Sequence, residues 1–263
     1  MPEGCVDSRC SIAQCDIFDF MAKYVDLTVI HPGGLKTTRQ LADSLNITKT
    51  SKVIDIACGK GTTALYLAEN YGCDVVGIDI SAELIQEAQK LAQKKKLEKK
   101  VTFQVGNAMR LPFPDNSFDV AISQAMLVLV ADKIQTIKEA NRVIKRGGKA
   151  GWLELSWKKK IDDDFLIKIS TVLCSYCMTY VSSYNGWEKL YTDAGISNLT
   201  IEKGENVRDN FMARLRDEGL SNTIKILFNT MRNAEISARS KKTNQFFKDY
   251  DEYFGLGIFV FAK

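Results

Sequence analysis

From about residue 50 the chain alternates short apolar runs with amphipathic stretches. VIDIA (53–57), DVVGID (74–79), VTFQVG (101–106), FDVAIS (118–123) and KAGWLELSW (149–157) have strand length and are rich in β-branched residues. Between them, 61–71, 81–95 and 132–145 repeat apolar residues at three- and four-residue spacing, and the last is expected to stop at Gly147-Gly148. Continuous apolar strands separated by helices predict a parallel sheet covered on both faces. Ahead of this alternation, 16–30 and 35–45 read as helices joined by the turn His31-Pro32-Gly33-Gly34. Behind it, 163–181, 186–194 and 207–238 read as helices, with closing strands at 197–204 and 257–263. The helical stretch before the last strand is too long for a hairpin loop and predicts a cap.

The expected fold class is α/β, a doubly wound, mostly parallel seven-stranded sheet with N-terminal helices and a helical cap inserted before the last strand. One domain is expected over 1–263: an N-terminal helical segment (1–48), a cofactor-binding core (49–160), and substrate-side helices with the final strands (161–263), the cap lying at 205–254.

Composition narrows this picture. With 45% hydrophobic and 26% charged residues over 263 positions, the chain can bury a large core. Thirty-six Lys and Arg against 32 Asp and Glu give a net charge of +4, too small a surplus to suggest a nucleic-acid partner. No apolar run reaches membrane-spanning length, and the opening MPEGCVDSRCSIAQCD lacks a signal-peptide pattern, so a cytoplasmic protein without a membrane partner is expected. In that setting the seven cysteines are expected to be thiols. The single histidine, His31, excludes mechanisms that need two imidazoles.

The sharpest local signal is VIDIACGKGTTA, in which a strand ends near Asp55, a tight loop carries Gly59 and Gly61, and a helix follows. Glycines let backbone approach a ligand closely, and a helix N-terminus presents free N–H groups. The same stretch also fits the dinucleotide fingerprint, which alone is a weak signal. A carboxylate at Asp55, four residues before Gly59, would repel a diphosphate. It suits a cofactor with a cationic ammonium and sulfonium and no phosphate, as in S-adenosylmethionine. Asp79, 24 positions later, can accept hydrogen bonds from ribose hydroxyls, which adenosyl and nicotinamide cofactors share.

The segments VIDIACGKG, VVGIDIS, VGNAMRLPFPDNSFDVAIS and EANRVIKRGGK resemble, in order and spacing, the class I S-adenosylmethionine-dependent methyltransferase family over roughly residues 50–160. The resemblance implies S-adenosylmethionine as cofactor, S-adenosylhomocysteine as product, and in-line methyl transfer to a small-molecule acceptor that the sequence does not identify. It implies Asp55 near the methionine part, the loop of Ala57, Cys58, Gly59 and Gly61 packing on it, and Asp79 with Ile80 at the ribose. It also implies Asn107, Ala108 and Met109 in the loop that meets adenine, and Gln124 flanking the cofactor. Two residues depart from the family pattern. Ala57 replaces a usual glycine and is expected to be tolerated if its φ is negative. Asn107 replaces a more common Asp and keeps an acceptor for the adenine amino group.

Other candidates have two readings each. The turn with Gly34 and His31 either closes over the methionine end or is a plain helix–helix corner. Cys174 and Cys177, read as one face of a helix, are either a soft-ligand or redox pair or core thiols. Their surroundings faintly resemble arsenite methyltransferases, which leaves arsenite or thiol methylation as an alternative. Cys5, Cys10 and Cys15 match no known metal-finger spacing, and no metal site is assigned. Glu154 is the best carboxylate for a base or cation clamp, and Trp157, Trp187, Tyr180 and Tyr184 are expected pocket-lining residues. A nicotinamide oxidoreductase, against which Asp55 argues, and a non-catalytic S-adenosylmethionine-binding module complete the alternatives.

Overall fold

The structure, a computed structural model, describes residues 16–204 and 211–263. The chain begins with a one-turn helix α1 (Ile17–Asp19), a π turn (Phe20–Tyr24) and α2 (Gly34–Ser44). Strands and helices then alternate: β1 (Lys52–Ile56), α3 (Thr62–Tyr71), β2 (Asp74–Asp79), α4 (Ala82–Lys95), β3 (Val101–Val105), β4 (Phe118–Gln124), α5 (Lys133–Val143) and β5 (Ile144–Trp157). After these come α6 (Asp163–Leu173), β6 (Ser182–Ser183), α7 (Tyr184–Asp193), β7 (Thr200–Gly204), α8 (Phe211–Arg232), α9 (Ala234–Asp249) and β8 (Phe254–Ala262).

The strands line up in the order β3-β2-β1-β4-β5-β8-β7, the expected seven, and the two-residue β6 pairs with β5 as an addition. β1 pairs in parallel with β2 and with β4, β2 with β3, and β4 with β5, while β7 and β8 run antiparallel. The order reverses between β1 and β4, and in open α/β sheets ligands bind at the carboxyl ends of strands beside such a reversal. The central strands are apolar on both faces because helices cover both: Val53, Ile54, Ile56, Val120, Ala121 and Ile122 are all buried.

The chain divides into two compact units. The sheet unit comprises Leu35–Glu154, Asn185–Gly204 and Leu256–Lys263. Its core includes Trp152 stacked on Phe261 (centroids 5.7 Å apart) and Tyr191 on Phe259 (5.5 Å). The helical unit comprises the described residues of Met1–Gly34, Leu155–Tyr184 and Glu205–Gly255. Trp157, Phe165, Phe246 and Phe254 form an aromatic cluster inside it. No helix among the described residues is long and apolar enough to cross a membrane.

Four local expectations are corrected. The helix expected over 16–30 stops at Tyr24. Asp26 takes a positive φ, and the Glu218 carboxylate accepts the backbone N–H groups of Thr28 (2.8 Å) and Val29 (3.0 Å), replacing helical partners. The helix expected to reach Gly147-Gly148 ends at Val143, and both glycines lie within β5. The helix expected over 163–181 breaks at Cys174, which adopts φ 48° as the C-cap of α6. The helix expected over 207–238 is kinked at Gly219 (φ 73°, ψ 164°) and gives way at Asn233, whose side chain caps α9 by accepting from the Glu235 and Ile236 amides.

Candidate functional site

Asp55 lies on β1, flanked in register by Gly77 of β2 and Ile122 of β4, and is 3% exposed. Its Oδ2 atom is buried and meets no hydrogen-bond partner among the described residues. Burial, with the nearby Asp79 charge, pushes its pKa up to about 7, while a bond from the Ala64 backbone pulls the other way. An orphaned buried carboxylate oxygen is energetically unfavourable until it meets a donor or cation.

The loop after β1 turns sharply. The Cys58 amide donates to the Ile78 carbonyl (3.0 Å) and the Gly61 amide to the Cys58 carbonyl (2.8 Å). Ala57 takes φ 61°, which corrects the expectation of a tolerant negative φ: an L side chain there costs about 1–2 kcal/mol. Gly59 and Gly61 also have positive φ, for different reasons. A Cβ on Gly61 would sit 2.4 Å from Phe103 Cζ and 2.9 Å from Ala88 Cβ, so this glycine lets the loop pack on β3 and α4. A Cβ on Gly59 would meet nothing within 4 Å, so that side of the loop faces open space. Lys60, between them, forms an ion pair with Glu87 (3.5 Å). The Cys58 thiol is buried, which raises its pKa and keeps it protonated.

Asp79 ends β2 with both oxygens oriented by backbone. Oδ2 accepts the Gly59 amide (2.9 Å) and Oδ1 the Ser81 amide (2.9 Å). The adjacent Ile80 is 72% exposed, and Val105, the register partner of Asp79 on β3, is 52% exposed. Two large apolar side chains therefore stand in solvent at the carboxyl ends of neighbouring strands, beside a fixed carboxylate. Sequence reasoning missed Val105, although its place at the end of the VTFQV run was the available signal.

Asn107 Oδ1 accepts the Met109 amide (2.8 Å) and so braces its own turn. That bond engages one lone pair of the oxygen that the sequence offers to an adenine amino group. The turn runs into a segment held by Arg142, which donates to the Leu111 and Phe113 carbonyls and to Glu139. Glu139 in turn accepts the Leu111 amide at 2.7 Å, which explains why LPFPD and EANRV occur together. Gln124, at the end of β4, donates to Thr63 Oγ1 (2.8 Å) and accepts from Thr38 Oγ1 (3.1 Å). Thr63 and Thr38 also escaped the sequence reading, because only the fold brings their helices to β4.

Glu154 sits inside β5, is 1% exposed, and accepts the Met126 (3.1 Å) and Leu127 (2.9 Å) amides through Oε1. Burial pushes its pKa up to about 8, so it is largely neutral at pH 7.

Asp55, Ala57, Cys58, Gly59, Gly61, Asp79, Ile80, Asn107, Ala108, Met109, Gln124 and Glu154 all belong to the sheet unit, whereas Gly34, His31, Trp157, Cys174, Cys177 and Tyr184 belong to the helical unit. Trp157 is buried against Phe165 and Phe254, which makes it a packing residue and corrects its reading as pocket lining. Trp187 is likewise buried, against Phe259 of the sheet unit. The Tyr184 hydroxyl lies 2.3 Å from where a Cβ on Gly255 would be, so it packs on that glycine. Burial lowers the His31 pKa to about 4. Cys174 ends α6 and Cys177 lies in the following 3-10 turn, so the two do not share a face of one helix. The Cys177 side chain, and Cys5, Cys10 and Cys15, lie outside the described residues. Among the described residues no group of three His, Cys, Asp or Glu is placed to hold a metal ion.

Known proteins resemble this chain in both sequence and fold. A family profile described as "Methyltransferase domain" matches residues 54–151. An uncharacterized protein of Haemophilus influenzae is 31% identical over 236 residues, covering 88% of this chain and 91% of that protein. Phosphoethanolamine N-methyltransferase 3 of Arabidopsis thaliana is 32% identical over 190 residues, covering 72% of this chain but only 37% of the plant enzyme. Among solved structures, Haemonchus contortus phosphoethanolamine N-methyltransferase 2, in complex with phosphomonomethylethanolamine and S-adenosylhomocysteine, superposes with a TM-score of 0.71 at 18% identity, covering 97% of this chain and 61% of that one. With the glycine turn and both carboxylates toward the carboxyl ends of β1 and β2, the chain belongs to the class I S-adenosylmethionine-dependent methyltransferase family.

Proposed function

We propose that the chain methylates the nitrogen of a small amine, holding S-adenosylmethionine at the carboxyl ends of β1, β2 and β3. The observation that carries the cofactor assignment is the buried Asp55 Oδ2, without a hydrogen-bond partner among the described residues, four positions before Gly59, whose Cβ side is open. That pair fits a compact cation and offers no compensation for a diphosphate. Asp55 receives the ammonium of the methionine part. Gly59 leaves room for it, and Asp79 takes the ribose hydroxyls. Ile80 and Val105 flank the adenine, with Asn107, Ala108 and Met109 closing its edge. Gln124, locked between Thr38 and Thr63, borders the site at β4.

When bound, S-adenosylmethionine supplies a methyl carbon already activated by its sulfonium. The protein is left to supply proximity and orientation. An amine that arrives neutral brings its own lone pair and needs no strong base. The candidate bases agree with this: His31, with a pKa near 4, is a weak one, and Glu154 is largely neutral at pH 7 with Oε1 engaged by backbone. The name of the plant relative supports a nitrogen acceptor.

Calorimetry with S-adenosylhomocysteine tests the cofactor half. Incubation with methyl-labelled S-adenosylmethionine and a panel of phosphoethanolamine, primary and secondary amines, thiols, arsenite and carboxylates, read by mass spectrometry, tests the acceptor half. Label on an amine is expected. Label only on oxygen, sulfur or arsenic would overturn the nitrogen assignment while leaving the cofactor site intact.

A further inference from the structure

The second half of α8, beyond the Gly219 kink, has two unlike faces. On one, Thr223 and Ile226 are buried, and Asn222 donates to Glu218, the residue that also secures Thr28 and Val29. On the other, Leu220, Ile224, Leu227, Phe228 and Met231 are exposed, Met231 by 82%. At about 100° of rotation per residue these five fall within an arc of about 100°. They form a continuous stripe along the helix rather than scattered apolar residues, and such stripes on a folded protein mark contact surfaces.

Within its own segment the stripe carries only positive charge, and one of its two cations is paired with an acidic residue from the N-terminal segment. No Asp or Glu occurs between Leu220 and Arg232. Lys225 and Arg232 lie along the same edge of the stripe by helical rotation, Lys225 paired with Asp26 and Arg232 with its guanidinium 5.3 Å from the Phe228 ring centroid. Over residues 220–249, the stripe together with α9, six Lys or Arg face only Glu235 and Asp249, a surplus of four. That equals the net charge of the whole chain, so the rest of the sequence is balanced. Arg239 is buried, and the other five cations are at the surface.

We propose that the α8 stripe docks this protein onto an anionic lipid surface. The apolar side chains enter the boundary between headgroups and acyl chains, and Arg232, backed by the positive surplus of α9, meets the negative headgroups. This is peripheral association by one helix face, distinct from spanning. A second copy of the chain fits less well, because two such faces would bring surfaces of the same positive surplus together.

The test uses the full chain, sedimented with vesicles of phosphatidylcholine alone or of phosphatidylcholine mixed with phosphatidylserine. Binding to the mixed vesicles is expected, weakening with added salt. The double variant F228S/M231S should lower the partition coefficient roughly tenfold or more, and R232E should lower it by a smaller factor. Both variants should keep native S-adenosylhomocysteine affinity, which shows that the fold is intact. The proposal is overturned if the mixed vesicles bring down no protein, if phosphatidylcholine alone does so equally well, or if F228S/M231S binds like the wild type. It is also overturned if light scattering shows a dimer that these substitutions abolish while vesicles bind nothing.

Discussion

Glu154 Oε1 accepts the Leu127 amide at 2.9 Å, and through that bond a residue inside β5 holds the turn that follows β4. The turn contains Ala125 at φ 55°, a backbone conformation that a non-glycine residue keeps only when its surroundings enforce it. Gln124 immediately precedes it. Glu154 therefore acts as a positioning residue for Gln124. A glutamine at 154 keeps an acceptor for both amides, whereas a leucine orphans them. E154Q should bind S-adenosylhomocysteine within a few-fold of wild type, and E154L should bind about tenfold more weakly, as expected for one or two orphaned amides. If E154Q keeps affinity but loses turnover on the identified acceptor, Glu154 is a base and the positioning role is wrong.

The two raised carboxyls also make stability depend on pH. Asp55 is pushed to about 7 from 3.8 and Glu154 to about 8 from 4.5, in both cases chiefly by burial. The folded state holds these protons more tightly than the unfolded chain, so their contribution is full below the unfolded values. It declines as pH rises through the folded values, and is constant above them. Urea midpoints measured from pH 5 to 9 should therefore fall less steeply for D55N and E154Q than for wild type, provided both are compared in one buffer series. Parallel wild-type and variant curves would show that neither group is raised.

Binding of a cationic ligand reverses the sign for Asp55. The ammonium of S-adenosylhomocysteine favours the ionised carboxyl, so affinity should increase as pH rises through about 7 and then level off. In D55N the affinity should be lower and flat over that interval. A wild-type profile without a rise there would remove Asp55 from the ammonium site.

Asp79→Ala should weaken S-adenosylhomocysteine binding by roughly 2–4 kcal/mol. Part of this loss comes from the ribose contacts and part from the Gly59 amide, which loses its acceptor. Calorimetry on D79A and D79N separates these, because asparagine keeps one oxygen for either partner. Native affinity in D79A would place the ribose elsewhere.

Gly59 and Gly61 should both lose stability on substitution by alanine, but to different degrees. At Gly61 the added carbon meets Phe103 and Ala88, so G61A should lower the melting temperature sharply. At Gly59 the carbon meets only open space, so G59A should lower stability by just the left-handed backbone strain, about 1–2 kcal/mol. G59V should in addition abolish cofactor binding, because its bulk fills that space. A G59V protein that binds normally would show that the loop faces away from the cofactor.

The strands, the first helices of the alternation and the glycine turn were legible in the sequence because each is a local pattern. β2 follows DVVGID residue for residue, and Asp55, Gly59, Gly61 and Asp79 occur at intervals that one βαβ unit imposes. The sequence likewise excluded a two-imidazole mechanism by having only His31. What it left open depends on contacts between distant segments. Residues 25–30 have helical spacing, yet Glu218, some 190 positions away, supplies the acceptors that let the backbone there abandon a helix. Cys174 and Cys177 have the spacing of a helical pair, but α6 ends at Leu173 with Cys174 as its left-handed cap. Glu154 reads as a base from its place on the fifth strand. Only the packing of β5 beside β4 sets its oxygen on two backbone amides. Hydrophobic period records which face of an element is covered, whereas long-range hydrogen bonds and burial decide what a polar side chain does once the element is in place.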